Sequence, residues 1–407
     1  MPCRSPRRSR SLPSSRKPPF RSATGLWPFA VLASTIPAYE EACGPAWHER
    51  RCGQLRRRAL LVREGYDVHG VTLQVWEHED EEIAASKKWQ ERGCCKIGIA
   101  RYVAQRLKIS YEVIDQRRLF RQAVIDDFIR GYAGGTTPNP CVRCNERVKL
   151  RGLVELADQR GIHHVATGHY VRVAESSGLC VLRRSVDEKK DQSYFLYRIQ
   201  ADWLPRLLFP VGGMHKAEVW TEAEALGLPV DELKESQEIC FVSHGDYRTF
   251  IETEMPAAKT SGAFVDAQGR YLGQHEGIAF YTPGQRRGLG IAAGQRLYVQ
   301  QVRPSTNTVV LGFEEGLLNS SCLVKDLNLF DRSLLTTKSE VAVKVRYATP
   351  ATKALVEPVD GETLRVCFHV PQRALSPGQS AVLYRGDRVI GGGIIHSGES
   401  PRIGTSY

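Results

Sequence analysis

Two cysteines in one short segment carry the first chemical signal. Asn139-Pro140-Cys141-Val142-Arg143-Cys144-Asn145 ends a Gly/Thr/Pro loop (GGTTPNP) and leads into a helical pattern that opens at Asn145. Thiols at a helix N-terminus feel the positive end of the dipole, which lowers their pKa and raises the thiolate fraction at neutral pH; this is the setting of a reactive cysteine. The competing reading, half of a zinc site, needs a second Cys or His pair at close spacing, and the sequence supplies none. A further cysteine, Cys240, stands in Glu235-Ser236-Gln237-Glu238-Ile239-Cys240-Phe241. Taken alone, a Cys between Ile and Phe reads as a buried structural thiol. Two polar segments complete the set. In Ala166-Thr167-Gly168-His169-Tyr170 a Gly at the carboxyl end of a strand allows close approach of a flat ligand or a phosphate, and Lys190-Asp191-Gln192-Ser193-Tyr194 gathers charge and hydrogen-bonding groups at a helix start.

These residues must be positioned by regular elements. Asp67–Trp76 reads as a buried strand, Ile97–Lys108 as a helix and Ser110–Asp115 as a second strand. Helical patterns follow over Arg118–Tyr132 and Asn145–Arg160, the second with Val148, Leu153, Val154 and Ala157 on one face and Gly161 as its stop, before a short strand over His163–Thr167. Strands alternating with helices predict a parallel sheet covered on both faces, with ligands at the carboxyl ends of its strands. From Gln192 to about Met255 the pattern is helical, including His215–Leu226. After Gly262 it changes to short strands, with Val341–Tyr347 alternating, Thr363–Val370 partly so, and Ala381–Ile395 folding as a hairpin around Gly386-Asp387. The expected fold is α/β: a parallel-sheet nucleotide-binding domain over 59–205, a central connecting domain over 206–285 that carries Cys240, and a C-terminal β-barrel over 286–407. Residues 1–58 stand apart as atypical.

Composition limits the function classes. A chain of 407 residues, 42% hydrophobic, buries a sizeable core, and its longest apolar stretch, Leu26–Ala38, is cut by Pro28 and Pro37 and is too short for a bilayer span. The net charge of +11 is concentrated at one end: residues 1–58 hold 12 Lys and Arg against 3 Glu, leaving 44 basic and 42 acidic residues for the rest. Nucleic-acid contact must therefore come from local patches. Eleven Cys without a hydrophobic secretory core fit a reducing compartment, and the cytoplasm is expected.

The segments ALLVREGYDVHGVTLQVWE, TPNPCVRCN, HHVATGHYVRV, KDQSYFLY, LFPVGG, ESQEICF, YTPGQRRGLGI, KVRYATP and SPGQSAVLYRGDRVIGGGII occur in the order found in the tRNA-specific 2-thiouridylases. The chain closely resembles this family from about Ala59 to Ile395. The resemblance implies a PP-loop fold of the adenine-nucleotide alpha-hydrolase type and the ATP-dependent replacement of oxygen by sulfur at C2 of the wobble uridine of tRNA. It implies that Cys240 carries the sulfur as a persulfide and that Cys144 is the nucleophile that releases it, leaving a transient Cys144–Cys240 disulfide. It further implies that Asn139, Pro140 and Cys141 face the target base, that Leu73 and Gly168 border ATP with Mg²⁺ screening its phosphates, and that His169, Lys190, Asp191, Gln192, Arg346, Tyr347 and Gln379 meet tRNA. A persulfide donor, either a cysteine desulfurase or a sulfur-relay protein, is the implied partner, and no membrane is. Some family members carry Asp at position 141, so Cys141, Cys144 and Cys240 could instead ligate an iron–sulfur cluster, a less favoured arrangement. Cys94 and Cys95 are assigned to packing.

The chain departs from the family at one place. The phosphate-binding loop Ser-Gly-Gly-Val-Asp-Ser-Ser should precede Ala59, where His48-Glu49-Arg50-Arg51-Cys52-Gly53-Gln54-Leu55-Arg56-Arg57-Arg58 stands instead, with no Gly-rich nest. One allowed set of codons for His48 to Arg58, read one nucleotide later, gives Met-Ser-Gly-Gly-Val-Asp-Ser-Ser-Val-Ala-Ala. This points to a reading-frame change before Ala59 and makes the transit-like Arg/Ser/Pro character of residues 1–25 an artefact of the wrong frame. As written, the chain is expected to lack both the first strand and the triphosphate cradle. The alternative function is a non-catalytic tRNA-binding pseudoenzyme that has lost its ATP loop.

Overall fold

The computed structural model describes residues 30–35, 61, 66–76, 97–225, 239–242, 246–291 and 294–399. The tract 48–58, Cys94, Cys95 and Glu235 to Glu238 lie outside the described residues.

The first part of the chain forms a five-stranded sheet. Its strands are β1 (Ala30–Thr35), β2 (Tyr66–Gln74), β3 (Ser110–Asp115), β4 (His164–Ala166) and β7 (Leu207–Leu208), in the spatial order β3-β2-β1-β4-β7. β2 pairs in parallel with β3, and β4 with β7, as alternating strands and helices require. The place of the first strand is taken by β1. It occupies the centre of the sheet and runs antiparallel to both neighbours, with Ala30 opposite Val71 and Thr35 opposite Tyr66 on one side, and Val31 opposite Ala166 on the other. The unbroken run AVLAST can pair in either direction, and two exposed strand edges would otherwise face each other across the gap. The sheet is thus mixed rather than all-parallel.

Helix α1 (Ile97–Leu107) connects β2 to β3. α2 (residues 117–133) and α3 (residues 140–159) follow, each with one widened π turn, at Arg121–Ile125 and Asn145–Lys149. Leu150, Leu153, Val154 and Ala157 of α3 are buried together with Val71 of β2 and Val165 of β4, so the helix covers the sheet through one apolar face.

The C-terminal part is a six-stranded antiparallel barrel. β12 (Leu318–Leu329), β13 (Ser339–Lys344), β14 (Thr352–Pro358), β15 (Leu364–Arg373), β16 (Ser380–Arg385) and β17 (Arg388–Glu399) pair in the order 12-15-14-13-16-17, and β12 closes on β17. Closure removes open edges. Its interior is filled by Val324, Val343, Val356, Val366, Leu383 and Ile395 among others. The hairpin β16–β17 turns at Gly386-Asp387, as the sequence predicts. A hairpin from the first part, β5 (Val171–Ser176) and β6 (Leu179–Arg184), extends the barrel sheet through Arg183 opposite Arg388. Arg172 and Arg183 both pair with Asp387 in the barrel turn, at 2.9 and 3.1 Å.

Between these parts the helical reading of 192–255 breaks into pieces: α4 (Ser193–Leu196), a 3₁₀ stretch over Ala201–Arg206, α5 (Lys216–Ala225) and α6 (Tyr247–Glu254). Pro205 lies within the 3₁₀ stretch, and the Gly212-Gly213 pair falls between it and α5. Next comes a four-stranded sheet of β8 (Gly262–Val265), β9 (Tyr271–His275), β10 (Tyr298–Arg303) and β11 (Thr308–Gly312), in the order 10-11-8-9. Among the described residues, no helix is long and apolar enough to cross a membrane.

Candidate active site

The cysteine helix begins earlier than its hydrophobic pattern suggests. Asn139 is the N-cap of α3, and its side-chain oxygen accepts hydrogen bonds from the backbone N–H groups of Cys141 and Val142 at 3.2 and 3.3 Å. Pro140 takes the first helical position, where no N–H is required and its fixed φ suits the turn. Cys141 therefore lies in the first turn and Cys144 at the start of the second, inside the helix rather than ahead of it.

Cys141 and Cys144 face different surroundings. Cys141 is half-buried against the cluster that joins α3 to the first sheet. Cys144 is buried in a second apolar cluster with Phe120, Val124, Phe128 and Val148. That same cluster holds Ile239, Phe241 and Val242, with Cys240 packed against its rim. Phe241 is the anchor: its ring meets those of Phe120, Phe128, Phe250 and Trp76 at centroid distances of 5.7, 5.3, 5.1 and 6.2 Å. Two cysteines far apart in the chain are thereby brought to one cluster, the inner one buried and the outer one half-exposed. Among the described residues, no three His, Cys, Asp or Glu side chains are grouped to hold a metal ion, so the three-cysteine cluster arrangement gains no geometric support.

The KDQSYFLY segment turns inward. Asp191 and Gln192 are buried. Asp191 accepts from the backbone N–H groups of Ser185 and Ser193 and from the Ser193 hydroxyl, and Gln192 accepts from the backbone N–H of Tyr170. The Tyr194 hydroxyl donates to the Ser380 carbonyl and the Tyr197 hydroxyl to the Ser380 hydroxyl, which seats α4 on barrel strand β16. Burial pushes both phenols above their ordinary pKa. Gly392 makes this contact possible, because a Cβ there would stand 2.8 Å from the Tyr197 ring. Lys190 is half-buried at the surface end of the segment. The side chains of Asp191 and Gln192, expected at RNA, are instead bonded within the protein.

Gln379 has a similar interior position. It is buried and donates through its amide nitrogen to the Thr137 carbonyl at 2.6 Å, while the Thr137 N–H donates to the Pro377 carbonyl at 2.7 Å. Arg346 supports the same loop by donating to the Ala374 carbonyl, and desolvation lowers its pKa. Tyr347 stacks on Phe195 with centroids 4.5 Å apart and receives Lys344 over its ring at 5.2 Å. The barrel thus props the loop that ends in the Asn139 cap. These props were not read from the sequence, because their partners lie far along the chain.

Leu73 near the end of β2 and Gly168 just after β4 fall on one edge of the first sheet, where the carboxyl ends of β2, β3, β4 and β7 collect. His169 lies beside them; its Nδ1 is 2.7 Å from the Thr167 hydroxyl, and burial, reinforced by the charge of Lys149, holds its pKa down to about 3. The imidazole is neutral at physiological pH. The tract 48–58 carries no Gly-rich nest for a triphosphate, and β1 runs antiparallel to β2 and β4, so Thr35 stands at the opposite edge, beside Tyr66.

Comparison with known proteins converges on one family. Residues 57–244 match the profile described as tRNA methyl transferase HUP domain, residues 248–313 the tRNA methyl transferase PRC-barrel domain, and residues 319–395 the aminomethyltransferase beta-barrel domain. The tRNA-specific 2-thiouridylase MnmA of Clostridium acetobutylicum is 42% identical over 339 residues, covering 83% of this chain and 94% of the relative. That of Pelotomaculum thermopropionicum is 43% identical over 344 residues, covering 83% and 93%. The chain belongs to the tRNA-specific 2-thiouridylase family. The family's α/β domain, central domain and C-terminal barrel are those of the observed fold.

Proposed function

We propose that this protein is a tRNA sulfurtransferase that converts C2 of the wobble uridine, U34, from carbonyl to thiocarbonyl at the expense of ATP. The observation that carries the reading is the convergence of Cys144 and Cys240 on one apolar cluster, the first on a capped helix and the second held by the Phe241 anchor.

The C2 oxygen of uridine is a poor leaving group. Transfer of AMP from ATP, with loss of pyrophosphate, turns it into a good one, and Mg²⁺ would screen the phosphates. The outer sulfur of a Cys240 persulfide attacks C2, and the bond to the AMP oxygen breaks. The sulfur is then joined to both C2 and Cys240. The Cys144 thiolate attacks the Cys240 Sγ, the bond to the transferred sulfur breaks with its electron pair staying on the thiocarbonyl, and a Cys144–Cys240 disulfide remains. A dithiol reductant supplies two electrons to restore the thiols, and a persulfide donor, a cysteine desulfurase or sulfur-relay protein, reloads Cys240. The turn over Asn139, Pro140 and Cys141 borders the flipped base. Leu73 and Gly168 border the adenine. His169, Lys190, Arg346 and Tyr347 are the positions offered to tRNA, while Asp191, Gln192 and Gln379 hold the backbone that presents them.

Adenylation belongs to the chain whose residues 48–58 carry the restored Ser-Gly-Gly-Val-Asp-Ser-Ser loop. For the chain as written, the missing nest and the reversed β1 favour the second reading, a tRNA-binding protein without catalysis. Resequencing codons 40 to 62 distinguishes the two at the gene level. At the protein level, tRNA-dependent exchange of pyrophosphate into ATP and 2-thiouridine in digested tRNA are measured for both chains. The restored chain should score in both assays and the written chain in neither. Cys144→Ser or Cys240→Ser in the restored chain should abolish 2-thiouridine, and thiolation surviving either change would refute the assigned roles.

A further inference from the structure

A closed ring of four charges lies against the turn that carries Cys144. Arg143 pairs with Glu146 at 3.0 Å and with Asp326 at 2.6 Å, and Arg198 pairs with the same Glu146 at 2.9 Å and the same Asp326 at 2.9 Å. Glu146 and Asp326 thus each bridge Arg143 and Arg198, and on the helix side the ring is joined by Asp127, 3.8 Å from Arg143, and by Arg147, 3.7 Å from Glu146. The three segments involved are separate: Arg143 and Glu146 flank Cys144 on α3, Arg198 follows α4, and Asp326 belongs to barrel strand β12.

The barrel shapes itself to supply Asp326. The β12–β17 register shifts between Lys325 and Asn328, and Asp326 sits in the left-handed region with φ of 49°. A bulge of this kind re-aims a side chain, and a non-glycine residue in that region persists only where its surroundings fix it. Here the Asp326 carbonyl also accepts from Arg198 at 2.6 Å, and Asn328, two residues on, donates to the carbonyls of Tyr197 and Ile199 at 2.7 and 3.0 Å. The Arg143 and Arg198 side chains are 13% and 8% exposed, whereas Asp326 is 48% exposed, so the bulge delivers a carboxylate from the rim to two nearly buried cations.

We propose that Asp326 is a positioning residue for Cys144: the barrel bulge closes the charge ring and thereby locks the second turn of the cysteine helix in its buried setting. The proposal rests on the reading of Cys144 as the sulfur-releasing nucleophile, since that is the function the lock would serve. It makes the barrel part of the thiol's machinery as well as a surface for RNA.

The test is residue-resolved alkylation of the full chain with N-ethylmaleimide, read by peptide mass spectrometry at Cys144 and at Cys322, which is fully buried in the barrel core. Asp326→Asn keeps a residue that tolerates the left-handed backbone and removes only the charge. Opening of the lock should raise the Cys144 rate about threefold or more and leave Cys322 unchanged. Arg143→Gln, which breaks the ring from the helix side, should give a similar rise, and the double variant should add little further. An unchanged Cys144 rate in Asp326→Asn, a parallel rise at Cys322, or fully additive effects would each overturn the proposal. The assay needs no turnover, so failure of the nucleophile assignment appears separately, as thiolation by the frame-restored Cys144→Ser chain.

Discussion

Replacing Gln379 by Ala separates two roles for one residue. By family resemblance Gln379 is an RNA contact, but in the structure its amide is turned inward onto the Thr137 carbonyl at 2.6 Å, and both residues are buried. Removing the donor leaves a buried carbonyl without that bond, which costs about 1–3 kcal/mol. The cost falls on one loop, because Thr137 is otherwise tied to the barrel by its N–H to Pro377 and by the close packing of Gly378, where a Cβ would stand 2.8 Å from the Thr137 nitrogen. A loss of that size raises the local opening equilibrium roughly 5- to 150-fold. Amide hydrogen exchange followed peptide by peptide should therefore speed up by that factor over residues 136–142, with the barrel strands β13 and β14 unchanged as an internal control. tRNA affinity, measured by filter binding at fixed salt, should fall by no more than the change in the loop's opening equilibrium. Unchanged exchange over 136–142 together with lost tRNA binding would refute the argument and return Gln379 to the RNA surface.

Two further outcomes follow from the site. Phe241→Ala removes a ring in contact with four others, a change that costs about 3–5 kcal/mol in a packed core, and it should raise the alkylation rate of Cys240 while leaving that of Cys322 unchanged; an unchanged Cys240 rate would show that Phe241 is not its anchor. His169 gives a pH dependence whose sign is fixed: its folded pKa is about 3 against about 6.5 unfolded, so between these values the unfolded chain binds the extra proton. Its contribution is complete above about pH 6.5 and is lost as pH falls toward 3, amounting to about 1–2 kcal/mol by pH 5. Urea midpoints recorded from pH 7 to 5 should fall more steeply for the unaltered chain than for His169→Gln, and parallel slopes would contradict the buried neutral ring.

Local signals were the legible ones. Ser110–Asp115 was read to the residue as a strand, and Gly386-Asp387 marked the turn of the β16–β17 hairpin because that turn chemistry is contained in the sequence itself. The cysteine helix starts ahead of its apolar pattern, and the signal for that start is local: Asn followed directly by Pro is a cap and a first-turn residue in the preferred order. The β5–β6 hairpin was also within reach, since Ser177-Gly178 separates two strand-like runs and both residues take positive φ. By contrast, nothing local distinguishes an exposed Gln from one that props a loop, and Gln379 bonds to a residue 242 positions away. Asp191 follows the same logic: its charge suggests the surface, but the turn it organises is covered by the barrel. Tertiary partners decided these positions, and periodicity carries no trace of them.

The centre of the first sheet brings sequence and structure together. β2, β3, β4 and β7 all run one way, so their carboxyl ends define a single edge, and Leu73 and Gly168 lie on it as a nucleotide site in such a sheet requires. A strand that feeds a phosphate loop into that edge must run parallel to β2 and β4. β1 satisfies the hydrogen-bonding demand of the gap but not this directional one: its register against Tyr66–Val71 puts its last residue, Thr35, at the opposite edge. The sheet therefore records a vacancy in the chain's chemistry that its packing does not reveal. Filling the gap takes any short apolar strand, whereas feeding the loop takes one of fixed polarity followed by glycines. Those glycines are what the tract before Ala59 lacks.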